Sequence, residues 1–492
     1  MRVMEWVLLV LSFAMLGGLL ILPLRSRMQV RLSLIAALIA VIMSVIQVWM
    51  EGYRWQMIPA YAVALLLIVR VIVMKSRGSE RYIGQHRSRL RIIMNMVLFM
   101  FYLGVATALP ILLPVFSFAA PSGPYAVGTS TYYWVDENRS ETYTADPADN
   151  RQLMVQLWYP AELEGDGRDK SAPYIEHLEE IAQGLQDSLN MPRVMFSQLS
   201  EIETHAYRDA KVSSAEKKYP VLLFSHGLTG FRNQNTFQAE ELASQGYIVA
   251  GIDHAYGAAA VVYPGGETAK LQLPEDSGFA AYEATMKIWV EDASFVLDKL
   301  ERLAASGKPA EDVASRLDLE QIGMYGHSFG GATAAQMLMQ DSRIKAALNM
   351  DGTLYGPDIP EQGLGKPYLQ MNGEQSIDKA AFDTTLDEAV RVSGRTRDSF
   401  EQFWQESAQR REHAIAGGGY SLVLANTDHM SFTDFYLFSP LLPPKGAAAE
   451  RIQEEINRLS LAFFDQTLKQ SAERTVVELA EELSGVTLEQ GK

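Results

Sequence analysis

Four apolar runs near the N-terminus restrict the fold more than any other feature of the chain. They are Trp6–Leu24, Leu32–Met50, Met57–Met74 and Ile92–Phe116. Each approaches the roughly 20 residues that a helix needs to cross the hydrocarbon core of a bilayer. Their one charge is Arg70, near an end of the third run, where a long side chain can reach the interface. Core helices of soluble proteins are usually shorter and amphipathic, so the pattern predicts four membrane spans. The first loop carries Arg25, Arg27 and Arg31, and the third carries Lys75, Arg77, Arg81, Arg87, Arg89 and Arg91. The second, EGYRWQ, holds one Arg and one Glu. Positive loops stay in the cytoplasm. A multi-pass cell-membrane protein is therefore expected, with the N-terminus, loop two and everything after Phe116 on the extracytoplasmic side. Trp6, Trp49, Tyr53 and Trp55 would then form an outer aromatic belt. The first run lacks a strongly basic start and leads directly into arginines, so it reads as an anchor and not as a cleaved signal. Transporters need polar or broken helices at mid-membrane. Arg70, Pro110 and Pro114 sit near ends, which leaves anchoring as the expected role.

A chain of 492 residues predicts two or three domains. Charge divides it in the same place. Residues 1–116 hold 12 of the 43 Lys+Arg and 3 of the 59 Asp+Glu, a net of +9. The other 376 residues hold the remaining 31 and 56, a net of −25, which argues against nucleic acid as a partner. Cysteine is absent from the sequence, which excludes disulfides, thiolate metal sites and a Cys nucleophile.

The expected organisation is a four-span region over 1–116, a linker over 117–130, a catalytic domain over 131–470 and an acidic tail over 471–492. RQLMVQLWYP alternates as a half-buried strand does. YPVLLFSHG is a continuous apolar run ending in a turn, as in a buried parallel strand. RNQNTFQAEELASQG, Ala281–Ala305, GGATAAQMLMQ and Glu450–Leu468 read as helices. YIVAGIDH, QIGMYG, IKAALNMDG, KPYLQMNGE and YSLVLANTDH read as further strands. Strands alternating with helices predict a mostly parallel sheet covered on both faces.

Within that layout Gly326-His327-Ser328-Phe329-Gly330 follows a strand and opens a helix. A G-x-S-x-G match alone arises by chance in roughly one chain of this length in seven at ordinary glycine content. Its strand-to-helix context is what points to a nucleophile elbow. There Ser328 takes a strained backbone, the glycines avoid clashes with the crossing chain, and the helix N-terminus favours negative charge. A Ser hydroxyl needs a base, and the base needs an acid to orient it. Of eight His, only His429 follows a late strand, in the chain order Ser, acid, His of an α/β-hydrolase. His86 lies in a loop between spans; His177, His205 and His413 lie away from strand ends; His226 and His254 precede the Ser; and His327 points elsewhere from the elbow. Asp351 and Glu374 both end strands on the expected edge, so both are candidate acids. An oxyanion hole needs two backbone N–H donors. Phe329, after the nucleophile, and Leu228, in SHGLTGFRN, are the candidates, with Gly227 in the loop and the His226 side chain bracing it.

The stretches LLFSHGLTGFR, ASQGYIVAGIDH, RLDLEQIGMYGHSFGGATAAQ, ALNMDG and DHMSFTDF, with GPYAVGTS ahead of them, resemble the platelet-activating-factor acetylhydrolase family of plasma and bacterial type. The resemblance spans about Gly123 to Leu468. It implies Asp351 as the acid, His429 as the base, Leu228 and Phe329 as oxyanion donors, and calcium-independent hydrolysis of esters, including phospholipids with a short or oxidised sn-2 chain. No metal or other cofactor is implied. The four spans depart from the family pattern. Segments Ala161–Ser214, Tyr256–Asp276 and Gln375–Gly418 are candidate pocket walls, and Phe400, Phe403 and Trp404 are candidate acyl contacts that helical spacing also fits to a core. Acyl transfer to another acceptor would use the same residues. A non-catalytic sensor or transport component would not need to keep the Ser, acid, His and oxyanion loop together.

Overall fold

A computed structural model describes residues 1–21, 26–76, 89–163, 171–274, 278–307, 309, 312–443 and 448–491. The chain divides into two compact units, with the main boundary between Phe116 and Ser117.

The first unit holds α1 (Val3–Ile21), α2 (Ser26–Glu51), α3 (Ile58–Ser76) and α4 (Arg89–Leu112). Their 19, 26, 19 and 24 residues correspond to roughly 28 to 39 Å at 1.5 Å per residue, enough to cross a hydrocarbon core of about 30 Å. All four are long and apolar enough to cross a membrane. Leu8, Phe13, Ala37, Val63, Leu67 and Ala106 pack at their centre. Their outer surfaces expose Leu38, Leu65, Leu98 and Phe101. The helices run past the apolar runs: Arg27 and Arg31 lie in α2, and Arg89 and Arg91 open α4. A helix satisfies its own backbone whatever its side chains, so hydropathy marks the span and not the helix end. At one end, Glu51 accepts from the backbone N–H groups of Met4 (2.8 Å) and Glu5 (3.1 Å). Arg54 pairs with buried Glu5 at 2.7 Å. Loop two is thereby tied to the start of α1. Arg70 donates to the Leu19 carbonyl at 3.0 Å. Arg25, Arg77, Arg81, Arg87 and His86 lie outside the described residues, so the loop-charge reading rests on sequence.

The second unit is built on one sheet with strands β1 (Ala126–Ser140), β2 (Asn150–Glu162), β3 (Ser171–Pro173), β4 (Glu203–Arg208), β5 (Lys211–Val212), β6 (Tyr219–Ser225) and β7 (Ile248–Asp253). After a separate hairpin of β8 (Ala260–Val262) and β9 (Thr268–Lys270), it continues with β10 (Leu317–His327), β11 (Ile344–Met350), β12 (Tyr368–Gly373), β13 (Tyr420–Leu424) and β14 (Val486–Gln490). The strand order is 14-13-12-11-10-6-7-2-1-4-3, with β5 beside β2. From β7 through β6, β10, β11 and β12 to β13 every pairing is parallel. β2 joins β7, and β14 joins β13, antiparallel. The connecting helices are α5 (Leu178–Leu189), α6 (Thr236–Ser244), α7 (Phe279–Ala304), α8 (Phe329–Gln340), α9 (Glu374–Ile377), α10 (Lys379–Ser393), α11 (Arg397–Ile415), α12 (Ala449–Phe464) and α13 (Val476–Glu482).

Continuous apolar strands follow from burial on both faces. Val221, Leu223, Ile248 and Ala250 share a core with Met286, Trp289 and Val296 of α7 and Ala332 and Ala335 of α8. On the opposite face Phe224 meets Tyr325 at 4.9 Å, and Tyr325 meets Phe464 of α12 at 6.2 Å. Two boundaries differ from the sequence reading. β1 begins at Ala126, inside the stretch read as linker, because it pairs along most of β2. Residues 471–492, read as an acidic tail with room for a surface helix, carry α13 and, beyond that reading, the strand β14. Val476, Leu479 and Ala480 are buried, and β14 covers the edge of β13, satisfying backbone groups that an edge strand would leave bare.

Candidate active site

Ser328 sits between β10 and α8 with φ 54° and ψ −121°. A non-glycine residue there is strained by about 1–3 kcal/mol. The surroundings hold it: its N–H donates to the Met350 carbonyl at 2.9 Å, and its carbonyl accepts from Ala332 N–H at 3.1 Å. A Cβ on Gly326 would lie 2.3 Å from the Gly330 backbone, and one on Gly330 would lie 2.0 Å from the Ser225 carbonyl. Both glycines are therefore steric requirements of the elbow crossing β6.

The fold brings two distant loops to this turn. His429, after β13, places Nε2 2.9 Å from Ser328 Oγ. Its Nδ1–H donates to Asp351 Oδ2 at 2.7 Å. Asp351 follows β11. Its second oxygen accepts from Gly373 N–H at 2.7 Å, and Oδ2 also accepts from the Ser376 hydroxyl at 2.6 Å. Glu374, the other candidate acid, turns away and accepts from Asn426 N–H at 2.7 Å. The His429 side chain is 46% exposed and that of Asp351 only 2%, so a substrate can reach His429 but not Asp351. Burial acts to lower the pKa of His429, but the hydrogen bond and charge of Asp351 outweigh it and raise it above the usual value. Burial acts to raise that of Asp351, and His429, Ser376 and Gly373 together hold it below the usual range.

The loop after β6 passes across the elbow. A Cβ on Gly227 would lie 3.2 Å from Ser328 Cβ. Among the described residues, neither Leu228 N–H nor Phe329 N–H donates to a protein acceptor. The loop that carries Leu228 thus meets the turn that carries Phe329 at Ser328 with both N–H groups unengaged, as an oxyanion hole requires.

His327, read as pointing elsewhere, is buried beside the site. Its Nε2–H donates to the His429 carbonyl at 2.8 Å, and Nδ1 accepts from Gln234 at 3.1 Å. Burial and the neighbouring His429 push its pKa down to about 3, so it stays neutral. Spacing does not reveal this role, because x in G-x-S-x-G has no fixed type. Ser376 was likewise not visible, since it reaches Asp351 only through the turn after β12. His205 pairs with Glu240 at 3.1 Å, and His413 lies 3.2 Å from the Ile359 carbonyl. His177 precedes α5.

Aromatic rings line up from Phe329. Tyr282 lies 5.7 Å and Tyr355 5.6 Å from it. Phe279 lies 5.3 Å from Tyr355, and Phe403 lies 5.1 Å from Phe279. Of the three candidate acyl contacts only Phe403 joins this row. Trp404 meets Phe382 of α10 at 4.7 Å with the rings tilted, and Phe400 lies under Arg395, in the turn before α11, at 4.7 Å, so both pack within the α10–α11 segment.

Residues 114–479 match the family model described as platelet-activating factor acetylhydrolase, isoform II. The platelet-activating factor acetylhydrolase of Cavia porcellus is 26% identical over 380 residues, covering 70% of this chain and 77% of the relative. A probable 1-alkyl-2-acetylglycerophosphocholine esterase of Arthroderma benhamiae is 25% identical over 262 residues, covering 51% and 63%. Among solved structures, a ferulic acid esterase from Streptomyces cinnamoneus is similar with a TM-score of 0.56 and 27% identity, covering 77% of this chain and 100% of that one. The second unit is thus an α/β-hydrolase domain, the expected ester chemistry is borne out, and the chain is a carboxylic ester hydrolase that belongs to the platelet-activating factor acetylhydrolase, isoform II family.

Proposed function

We propose that this chain is a membrane-anchored serine ester hydrolase working on the extracytoplasmic side, with Ser328, His429 and Asp351 as its triad. The observation that carries this reading is the continuous chain from Ser328 Oγ to His429 at 2.9 Å and on to Asp351 at 2.7 Å, on a strained elbow. His429 takes the Ser328 proton as the hydroxyl attacks the ester carbonyl, then returns it to the leaving alcohol. Leu228 and Phe329 N–H groups receive the oxyanion, and Asp351 stabilises the imidazolium. A water activated by His429 releases the acid. Relatives named for platelet-activating factor and for 1-alkyl-2-acetylglycerophosphocholine support esters of phospholipids with a short or oxidised chain as substrates. The row of rings from Phe329 to Phe403 favours a second reading, esters of flat aromatic acids, as the name of the ferulic acid esterase also suggests.

The full chain in detergent, assayed with nitrophenyl esters of acetate, longer acids and cinnamate, tests both readings. Ser328→Ala should abolish turnover and labelling by a fluorophosphonate. Turnover equal to the parent would overturn the triad, and the acyl preference decides between substrates. The Cys-free chain also allows a topology test. Ser484→Cys should react with an impermeant maleimide on intact cells and Ser79→Cys should not; the reverse pattern would overturn the proposed orientation.

A further inference from the structure

Beneath the site lies a second Ser–His–Asp set. Ser225 Oγ is 2.8 Å from His254 Nε2, and His254 Nδ1 is 2.9 Å from Asp292 Oδ2. All three are fully buried, so no substrate meets them. Arg151 grips Asp292 through two nitrogens, at 3.0 and 2.7 Å, and Glu141 through a third at 3.0 Å. Arg139 adds a contact to Asp292 at 2.6 Å. The His254 ring stacks on Trp289 at 3.9 Å and 8°. His254 is therefore held on every side.

That rigidity reaches the oxyanion loop through His226. The backbone N–H of His254 donates to His226 Nε2 at 3.2 Å. Nε2 must then be the bare nitrogen and Nδ1 the protonated one. His226 Nδ1–H donates to the Gly227 carbonyl at 2.7 Å, and Gly230 N–H donates to the same oxygen at 2.9 Å. The Gly227 carbonyl shares its peptide plane with the Leu228 N–H. In a trans peptide the two point in opposite directions. Two donors gripping the oxygen therefore set the direction of the Leu228 N–H. They also polarise the peptide, which strengthens that N–H as a donor.

We propose that His226 is a positioning residue that aims the Leu228 N–H at the oxyanion, its Nδ1–H tautomer locked by the His254 backbone within the buried Ser225–His254–Asp292 frame. The proposal rests on the reading of Leu228 as an oxyanion donor. Burial and the adjacent His254 push the His226 pKa down to about 4, which keeps the ring neutral in working conditions.

The test uses the full chain in detergent with nitrophenyl acetate and a trifluoromethyl ketone that forms a tetrahedral adduct on Ser328. His226→Leu should lower kcat by about 10²–10³, the loss expected for one oxyanion donor. KM should change less than threefold, and the ketone should bind more weakly by the same factor as kcat/KM falls. His226→Asn, whose amide N–H stands near the place of Nδ1–H, should recover at least tenfold over His226→Leu. A general loss of fold would not give that rescue or that parallel. In the parent protein, nitrogen-15 resonances of the His226 ring should report the Nδ1–H tautomer, a readout that holds even where His226→Leu does not fold. An Nε2–H tautomer, an Asn variant no better than Leu, or a kcat loss below threefold would each overturn the proposal. Failure of fluorophosphonate to label the parent at Ser328 would instead strike the triad reading beneath it.

Discussion

Replacing Asp351 by Asn tests the proposed triad at its most buried member. The carboxylate accepts three hydrogen bonds, from Gly373 N–H, the Ser376 hydroxyl and His429 Nδ1–H. An amide has one oxygen. The Gly373 backbone cannot turn its N–H away, so the oxygen must face it, and the NH₂ then faces His429 Nδ1. Donating there drives the imidazole to its Nε2–H tautomer, which points a proton at Ser328 Oγ where a lone pair is needed. The charge is lost as well. Carboxylate and imidazolium about 4 Å apart interact by about 4 kcal/mol at an effective dielectric near 20, which is about 10³ in rate. With the tautomer added, kcat should fall by about 10³–10⁴, with KM little changed. Turnover of nitrophenyl acetate by the full chain in detergent measures this, with melting curves to confirm an intact fold. A variant keeping more than a tenth of parental kcat would refute the reasoning. So would a Glu374→Gln change that costs as much.

Three other outcomes follow from the geometry. As the proposed base, His429 must be neutral to accept the Ser328 proton, so kcat/KM should rise as pH climbs through its raised pKa, with the limb above the ordinary 6.5; a limb below 6 would contradict the Asp351 contact. His226 and His327, held near 4 and 3, stay neutral when folded but take protons when unfolded below 6.5. Stability should therefore fall from pH 6.5 downward, by about 2 kcal/mol per ring at pH 5. Urea midpoints at pH 7 and 5 measure it, and His226→Asn should be correspondingly less sensitive; an equal sensitivity would refute the assignment. Gly330→Ala would set a Cβ 2.0 Å from the Ser225 carbonyl and should cost about 3 kcal/mol in unfolding free energy through overpacking; unchanged stability would mean that the elbow is looser than its contacts indicate.

Local periodicity and spacing determined a good deal by themselves. Four apolar runs foretold the helices α1 to α4 because about 20 nearly uncharged residues are what a membrane-crossing helix requires, whatever surrounds it. The elbow was legible because a strained Ser between two close backbone crossings admits little but glycine at Gly326 and Gly330. His429 was legible because a late strand end is one of few places from which a ring reaches that turn. Tertiary structure decided the rest. Asp351 and Glu374 both end strands, and only the turn after β11 shows which carboxylate faces His429. The short segment at the C-terminus looked like a tail because β14 gains its partners from β13, far away in sequence. His254 and Asp292, separated by a hairpin and half of α7, read as unrelated polar residues. Their link to the loop before Leu228 arises only when the sheet and α7 close over them and exclude water, so that each buried polar group must find a partner.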